Sequence, residues 1–204
     1  MNQIISEFLQ ADFPSEYLEQ LRQKGELPPE IEKLIGRTQP VQYHPEGDAY
    51  SHLLLVVDRA KELGGDEIAI FGALCHDFGK AVTPDNELPR HINHEVLGVP
   101  IVKAFCERFN IDPFMKQVAL DATRHHLKVH NFEKLRPVTK VRLLDQLMKH
   151  GTTGYVGLIS QADAQGRGPW FHDMPYPQRQ MLQEAALLLS CHYNLNEIKN
   201  QQKQ

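Results

Sequence analysis

Apolar residues recur at three- and four-residue spacing along most of the chain, a period that predicts helices. Asp48 or Ser51 can cap a helix reaching about Leu63, where Gly64-Gly65 stops it. A second fits Asp66 to about His76, with Ile68, Ile70, Phe71, Leu74 and Cys75 inside and Gly79 as the stop. Further helices are expected at Asn93–Phe109 (with Pro100 inside), Pro113–Val129, Pro137–His150, Thr153–Gln165 and Pro177–Tyr193. Two-residue alternation is scarce and β-branched residues do not cluster, so the fold class expected is all-α.

Before these helices, Ser15–Lys24 and Pro29–Ile35 read as short amphipathic helices, punctuated by Gly25, Pro28, Pro29 and Gly36. Residues 1–40 are therefore expected as a helical N-terminal extension, 41–195 as the main domain and 196–204 as a frayed polar tail. At 204 residues, 41% apolar and 24% charged, the chain suits one domain with its own core. The net charge of −4 argues against nucleic-acid binding by bulk positive charge. It leaves room for a local basic stretch at Lys128, Lys134, Arg136, Lys140, Arg142 and Lys149, which otherwise reads as a solvated face. No N-terminal basic segment or long apolar run is present, so a cytoplasmic protein without a membrane span is expected. Cys75, Cys106 and Cys191 read as reduced core residues.

The unusual count is 11 histidines. His76-Asp77, inside LCHDFGK, ends an apolar helix with an imidazole and a carboxylate, a costly pair to bury unless a cation joins both. A hairpin through Gly64-Gly65 brings His52 to the same end of the bundle, and Asp163 supplies a later carboxylate. His52, His76, Asp77 and Asp163 suit a hydrolytic divalent ion with open positions, and lack the thiolates of structural zinc. Lys80 follows as a cation for an anionic substrate group. His126 and His130, four apart, share a helix face.

The order His…His-Asp…Asp with HDxGK around the pair resembles the HD superfamily of metal-dependent phosphohydrolases. YHPEGDAYSH, ALCHDFGKAVTP, PRHINHE, ADAQGRG and YPQRQMLQEA resemble, in order, the C-terminal HD domain of bacterial multifunctional CCA-adding tRNA nucleotidyltransferases. The resemblance covers roughly residues 26–190 and implies a single HD-domain helical bundle. It implies that His52, His76, Asp77 and Asp163 hold a divalent ion (Ni, Mn, Co or Mg). Asp77, Lys80, His94, His126 and Arg167 are the implied catalytic set, with Arg90 as a further phosphate contact. The activities implied are 2′,3′-cyclic phosphodiesterase, 2′-nucleotidase and phosphatase, with nucleotide or RNA-terminal phosphates as substrates and tRNA as a partner. No nucleotidyltransferase motif precedes residue 26, so CCA addition is not expected of these residues. Leu127 stands where some family members carry an acid.

The alternatives are a nucleotidase for free nucleoside monophosphates or signalling nucleotides, and a non-catalytic module binding tRNA or a partner. Among the other histidines, His130 is balanced between site and packing, His125 and His150 are expected to be solvated, and His44 to pack in a loop. His91, His172 and His192 carry no expected role. Trp170 and Phe171 are expected as packing aromatics rather than a base-stacking platform.

Overall fold

The computed structural model describes residues 2–201, with side chains as far as Tyr193. The polar tail expected at 196–204 lies outside the residues whose side chains are described. In chain order the helices are α1 (Gln3–Gln10), α2 (Pro14–Lys24), α3 (Pro29–Glu32), α4 (Ala49–Glu62), α5 (Glu67–Cys75), α6 (His94–Arg108), α7 (Pro113–His130), α8 (Pro137–His150), α9 (Thr153–Gln165), α10 (Pro169–His172) and α11 (Pro177–Gln201). Tight 3-10 turns occupy Phe78–Val82, Asp85–Glu87 and Phe132–Lys134. Among the described residues there is no strand, only an isolated bridge between Thr38 and Asp48. The fold is all-α, as the periodicity predicts.

Side-chain caps fix where the site helices begin. Asp48 Oδ1 accepts the Ser51 amide at 2.8 Å, and Asp66 Oδ1 accepts the Ala69 amide at 3.0 Å. Each such cap is worth about 1 kcal/mol. Gly64, at φ 79°, makes the left-handed turn between α4 and α5. The two helices therefore return on each other, and His52 and His76 meet at one end. α5 stops at Cys75, earlier than Gly79, and the chain tightens into the 78–82 turn. Gly79 is thus not a helix stop. It is a point of close backbone approach: a Cβ there would stand 1.9 Å from the His94 carbonyl oxygen and 2.7 Å from the Gly98 amide nitrogen.

α7 runs through the middle of the bundle against α5, α6 and α9. Its side chains are covered on several sides, and this buries His125 (3% exposed) as well as His126 (1%). His125 is thus enclosed, not solvated as its polarity suggested. His150 is half-buried: its Nδ1 lies 2.8 Å from Oδ2 of the buried Asp121, which also accepts from Thr152 Oγ1 at 2.7 Å. The N-terminal helices are not a detached appendage. Ile5, Phe8, Leu9, Leu18, Leu21 and Ile31 belong to the same buried cluster as Leu53, Phe71 and Phe105. α1, capped by Asn2 and burying Ile5, Phe8 and Leu9 on one face, was not among the expected helices. Two other expectations fail: Cys191 is exposed on α11, and Trp170 is 91% exposed, not packed. No helix among the described residues is long and apolar enough to cross a membrane.

Candidate metal centre

Five helices deliver acceptor atoms to one buried place. α4 contributes His52 from its first turn, and α5 ends in His76, with Asp77 opening the next turn. α6 contributes His94 as its first residue, α7 supplies His126 and His130, and α9 supplies Asp163 near its end. Adjacent residues on a regular helix diverge by about 100°. The break at His76 lets both His76 and Asp77 face inward, with Asp77 Oδ2 3.2 Å from His76 Nε2.

The ring nitrogens are assigned by their backbone neighbours, because a carbonyl can only accept. His76 Nδ1–H donates to the Ala73 carbonyl at 2.7 Å, and His94 Nδ1–H to the His91 carbonyl at 2.7 Å. His126 Nδ1–H is shared between the Ala122 and Thr123 carbonyls at 3.1 and 3.2 Å. Each of these rings therefore turns an Nε2 lone pair inward. His52 Nε2 lies 2.9 Å from Asp163 Oδ1. Its Nδ1 is 2.7 Å from Glu46 Oε1, but off the axis along which the ring could donate, so that nitrogen has no hydrogen-bond partner.

Two clusters of acceptors result. His52, His76 and Asp163 form one, and Asp77, His94 and His126 form the other. Asp77 joins them: Oδ2 faces His76, while Oδ1 lies 3.2 Å from His94 Nε2 and 3.8 Å from His126 Nε2. The Nε2 atoms of His94 and His126 are 3.2 Å apart. With both Nδ1 atoms engaged by carbonyls, two lone pairs face each other there. His76 Nε2 and Asp77 Oδ1 are buried without a hydrogen-bond donor. Such orphan acceptors are costly in a dry interior. A divalent cation satisfies them, and the donor set of imidazoles and carboxylates fits one.

Lys80 is the cation that the protein itself supplies. Its Nζ lies 2.5 Å from Asp77 Oδ2 and also donates to Gln39 Oε1, in a side chain almost fully buried. Burial opposes ionisation of Asp77, yet His76 and then Lys80 hold its carboxyl well below the usual range. Asp163 behaves alike, with His130 and His52 overcoming the cost of burial. Burial alone would lower His76, but the Asp77 and Asp163 carboxylates push it up to about 10, so that a proton on Nε2 and a bound cation compete for the same place. For His126 burial wins, and its pKa falls to about 3. The interior is thus arranged around positive charge on the Asp77–Asp163 axis.

A cleft of about 660 Å³ opens onto this centre. Asp77, Lys80, His94, His126, Asp163 and Arg167 line it, whereas His52 and His76 sit fully buried behind. Arg167 donates to the Ala164 and Tyr43 carbonyls at 2.8 and 3.1 Å, and its guanidinium stacks 4.6 Å from the Phe171 ring centre. It ties together two walls of the cleft as well as facing it. Arg90 is exposed and absent from the lining, so the structure does not bring it to the site.

Several further participants surround the ligand candidates, among them His130, which the sequence left balanced between site and packing. His130 Nε2 bonds Asp163 Oδ2 at 2.7 Å. His44 stacks edge-on against His52, centroids 4.7 Å apart, and shares Glu46 Oε1 with it. His91 lines the cleft, bonded to Thr83 Oγ1 at 2.9 Å. Glu46 had a signal, being the one acid between His44 and Asp48 in YHPEGDAYSH; Tyr176, on the cleft wall, opens the motif YPQRQMLQEA.

Comparison with known proteins agrees with this geometry. Residues 49–164 match the HD domain family. The chain is 39% identical over 189 residues to the Multifunctional CCA protein of Alkalilimnicola ehrlichii, covering 90% of this chain and 46% of that protein. It is 41% identical over 179 residues to the Multifunctional CCA protein of Methylococcus capsulatus, covering 84% and 42%. For that of Stenotrophomonas maltophilia the identity is 39% over 189 residues, covering 88% and 46%. The chain thus spans somewhat under half the length of these relatives. The matched segment contains His52, the His76-Asp77 pair and Asp163 together, and the chain belongs to the HD domain family of metal-dependent phosphohydrolases.

Proposed function

We propose that this chain hydrolyses phosphate esters at RNA ends and on nucleotides, as a 2′,3′-cyclic phosphodiesterase, 2′-nucleotidase and phosphatase. One observation carries the reading: buried imidazoles and carboxylates from five helices converge at the closed end of a cleft, with His76 Nε2 and Asp77 Oδ1 left without a hydrogen-bond partner. His52, His76, Asp77 and Asp163 would hold the ion. A bound divalent ion supplies a water of lowered pKa and polarises a phosphoryl oxygen. Lys80 and Arg167 face the same cleft and offset charge that builds on the phosphoryl oxygens. His94 and His126 present Nε2 to the cleft, where each can accept a proton from water or return one to a leaving oxygen.

A two-ion form of the site has its own support. The facing Nε2 atoms of His94 and His126, with Asp77 Oδ1 beside them, make a second set of three acceptors that shares Asp77 with the first. The RNA-end assignment draws on the relatives, which bear the name Multifunctional CCA protein.

The test is metal analysis of the purified protein with a panel of 2′,3′-cyclic, 2′-, 3′- and 5′-phosphorylated nucleotides. Turnover of the cyclic and 2′ substrates, lost on chelation and restored by metal, is expected. Hydrolysis confined to 5′-monophosphates would instead identify a nucleotidase for free nucleotides. Tight tRNA binding without metal would identify a binding module. Wild-type turnover untouched by exhaustive chelation would sink the metal reading.

A further inference from the structure

We propose that His130 is a positioning residue for Asp163, held in its working tautomer by Tyr176. The proposal rests on Asp163 being a metal ligand. Asp163 turns its two oxygens to different partners: Oδ1 faces His52 Nε2 at 2.9 Å, and Oδ2 meets His130 Nε2 at 2.7 Å. An ionised carboxylate only accepts, so His130 donates through Nε2–H. Its Nδ1 is then an acceptor, and the Tyr176 hydroxyl lies 2.9 Å from it, in position to donate. The rings of Tyr176 and His130 meet edge-on with centroids 5.7 Å apart, so packing fixes the imidazole plane as well.

The consequence is geometric. With Oδ2 occupied by a donor, Asp163 has only Oδ1 to offer the His52–His76 cluster, and it binds there through one oxygen. His130 differs in this from the other inward histidines. His76, His94 and His126 each place Nδ1 on a backbone carbonyl and keep Nε2 free. His130 instead spends Nε2 on a carboxylate and completes Nδ1 with a phenol from the 173–176 segment, beyond the last candidate ligand in the chain. Hydrogen bonds to ligating carboxylates orient them, and losing such a partner typically costs 10–100-fold in metal affinity.

The experiment uses the full chain, stripped of metal by chelation and titrated calorimetrically with Mn²⁺. His130→Ala is expected to weaken the Mn²⁺ affinity about 10–100-fold at unchanged stoichiometry. His130→Gln, which returns an amide donor toward Oδ2, recovers part of the loss. Tyr176→Phe gives a smaller loss and changes the ¹⁵N shift of His130 Nδ1, a readout that general loosening would not move. In the double variant His130→Ala, Asp163→Asn the losses are non-additive. Wild-type affinity in His130→Ala and Tyr176→Phe overturns the proposal, as does an Nδ1-protonated His130 in the wild type. Loss of a whole equivalent of Mn²⁺ would make His130 a ligand and also overturn it. If His130→Ala does not fold, His130→Gln and Tyr176→Phe decide by the same criteria. A wild type that binds no metal, yet shows Nε2-protonated His130 on Asp163, refutes the metal reading and leaves the hydrogen-bonded assignment standing.

Discussion

Gly79→Ala tests the crossing on which the site depends. The 78–82 turn passes over α6 with Gly79 against His94 and Gly98, and a Cβ on Gly79 would stand 1.9 Å from the His94 carbonyl oxygen. Real Cβ atoms essentially never come within 3.0 Å of such a neighbour, so the crossing must open by 3.0 − 1.9, about 1.1 Å. All three close contacts, one at 1.9 and two at 2.7 Å, are with backbone atoms, so no rotamer change relieves them. His94 begins α6 and Asp77 lies two residues before Gly79, so the 3.2 Å between Asp77 Oδ1 and His94 Nε2 is expected to lengthen, by at most about the same 1.1 Å. Overpacking of this kind costs about 1–3 kcal/mol, and the backbone contacts place it at the upper end. For a chain of this size about 3 kcal/mol is a fall in Tm of about 6–12 °C. Thermal melting followed by circular dichroism, with Mn²⁺ calorimetry, reads both effects. A Gly79→Ala protein with unchanged Tm and wild-type Mn²⁺ binding would refute the reasoning.

Gly72→Ala is the control: its Cβ meets the terminal methyl Cδ1 of Ile159 at 2.4 Å, a side-chain and not a backbone contact, so a smaller drop in Tm and unaltered Mn²⁺ binding are expected. Asp77→Ala removes a bridging carboxylate and strands buried Lys80; metal-dependent hydrolysis is lost while helicity persists, and stability falls by about 3–5 kcal/mol in denaturant titration. Chelation of the metal-loaded protein should lower its stability by about 2.7 kcal/mol relative to the form held at 100 times the metal's Kd, a shift that a Tm titration with metal measures. Thr152→Val deletes a donor to buried Asp121, away from the cleft; a loss of about 1–3 kcal/mol in stability with unchanged metal affinity and turnover is expected.

The helices were legible because their signals are local. Asp48, Asp66 and Pro113 announce starts that the structure keeps to within a residue, and the Gly64-Gly65 turn sets the α4–α5 hairpin. Burial was less legible wherever it depends on how many neighbours a helix has. α7 carries polar residues on several faces, which reads as partial exposure. Packing between α5, α6 and α9 encloses Asp121, Thr123, His125 and His126 nonetheless. Gly79 was read as a stop because a glycine after an apolar helix commonly is one. Its actual constraint is the backbone of α6, fifteen or more residues away, and no local pattern carries that.

The histidines show where sequence reasoning gives out at the site. His52, His76 and His126 present the same side chain as His125 or His130, and spacing alone cannot say which nitrogen is free. That is decided by what lies behind each ring: a carbonyl one turn back for His76 and His126, and a phenol 46 positions away for His130. A carbonyl one helical turn back is available to any residue near the right rotamer, so those lone pairs follow from the helix itself. The Tyr176 contact requires α10 and the 173–176 segment to return over α7, a matter of tertiary structure alone. Ligand candidates are therefore readable from motif and helix geometry, whereas the residues that orient them are not. The Asp163 carboxylate is the place where the two meet, facing a motif histidine with one oxygen and accepting from a tertiary partner on the other.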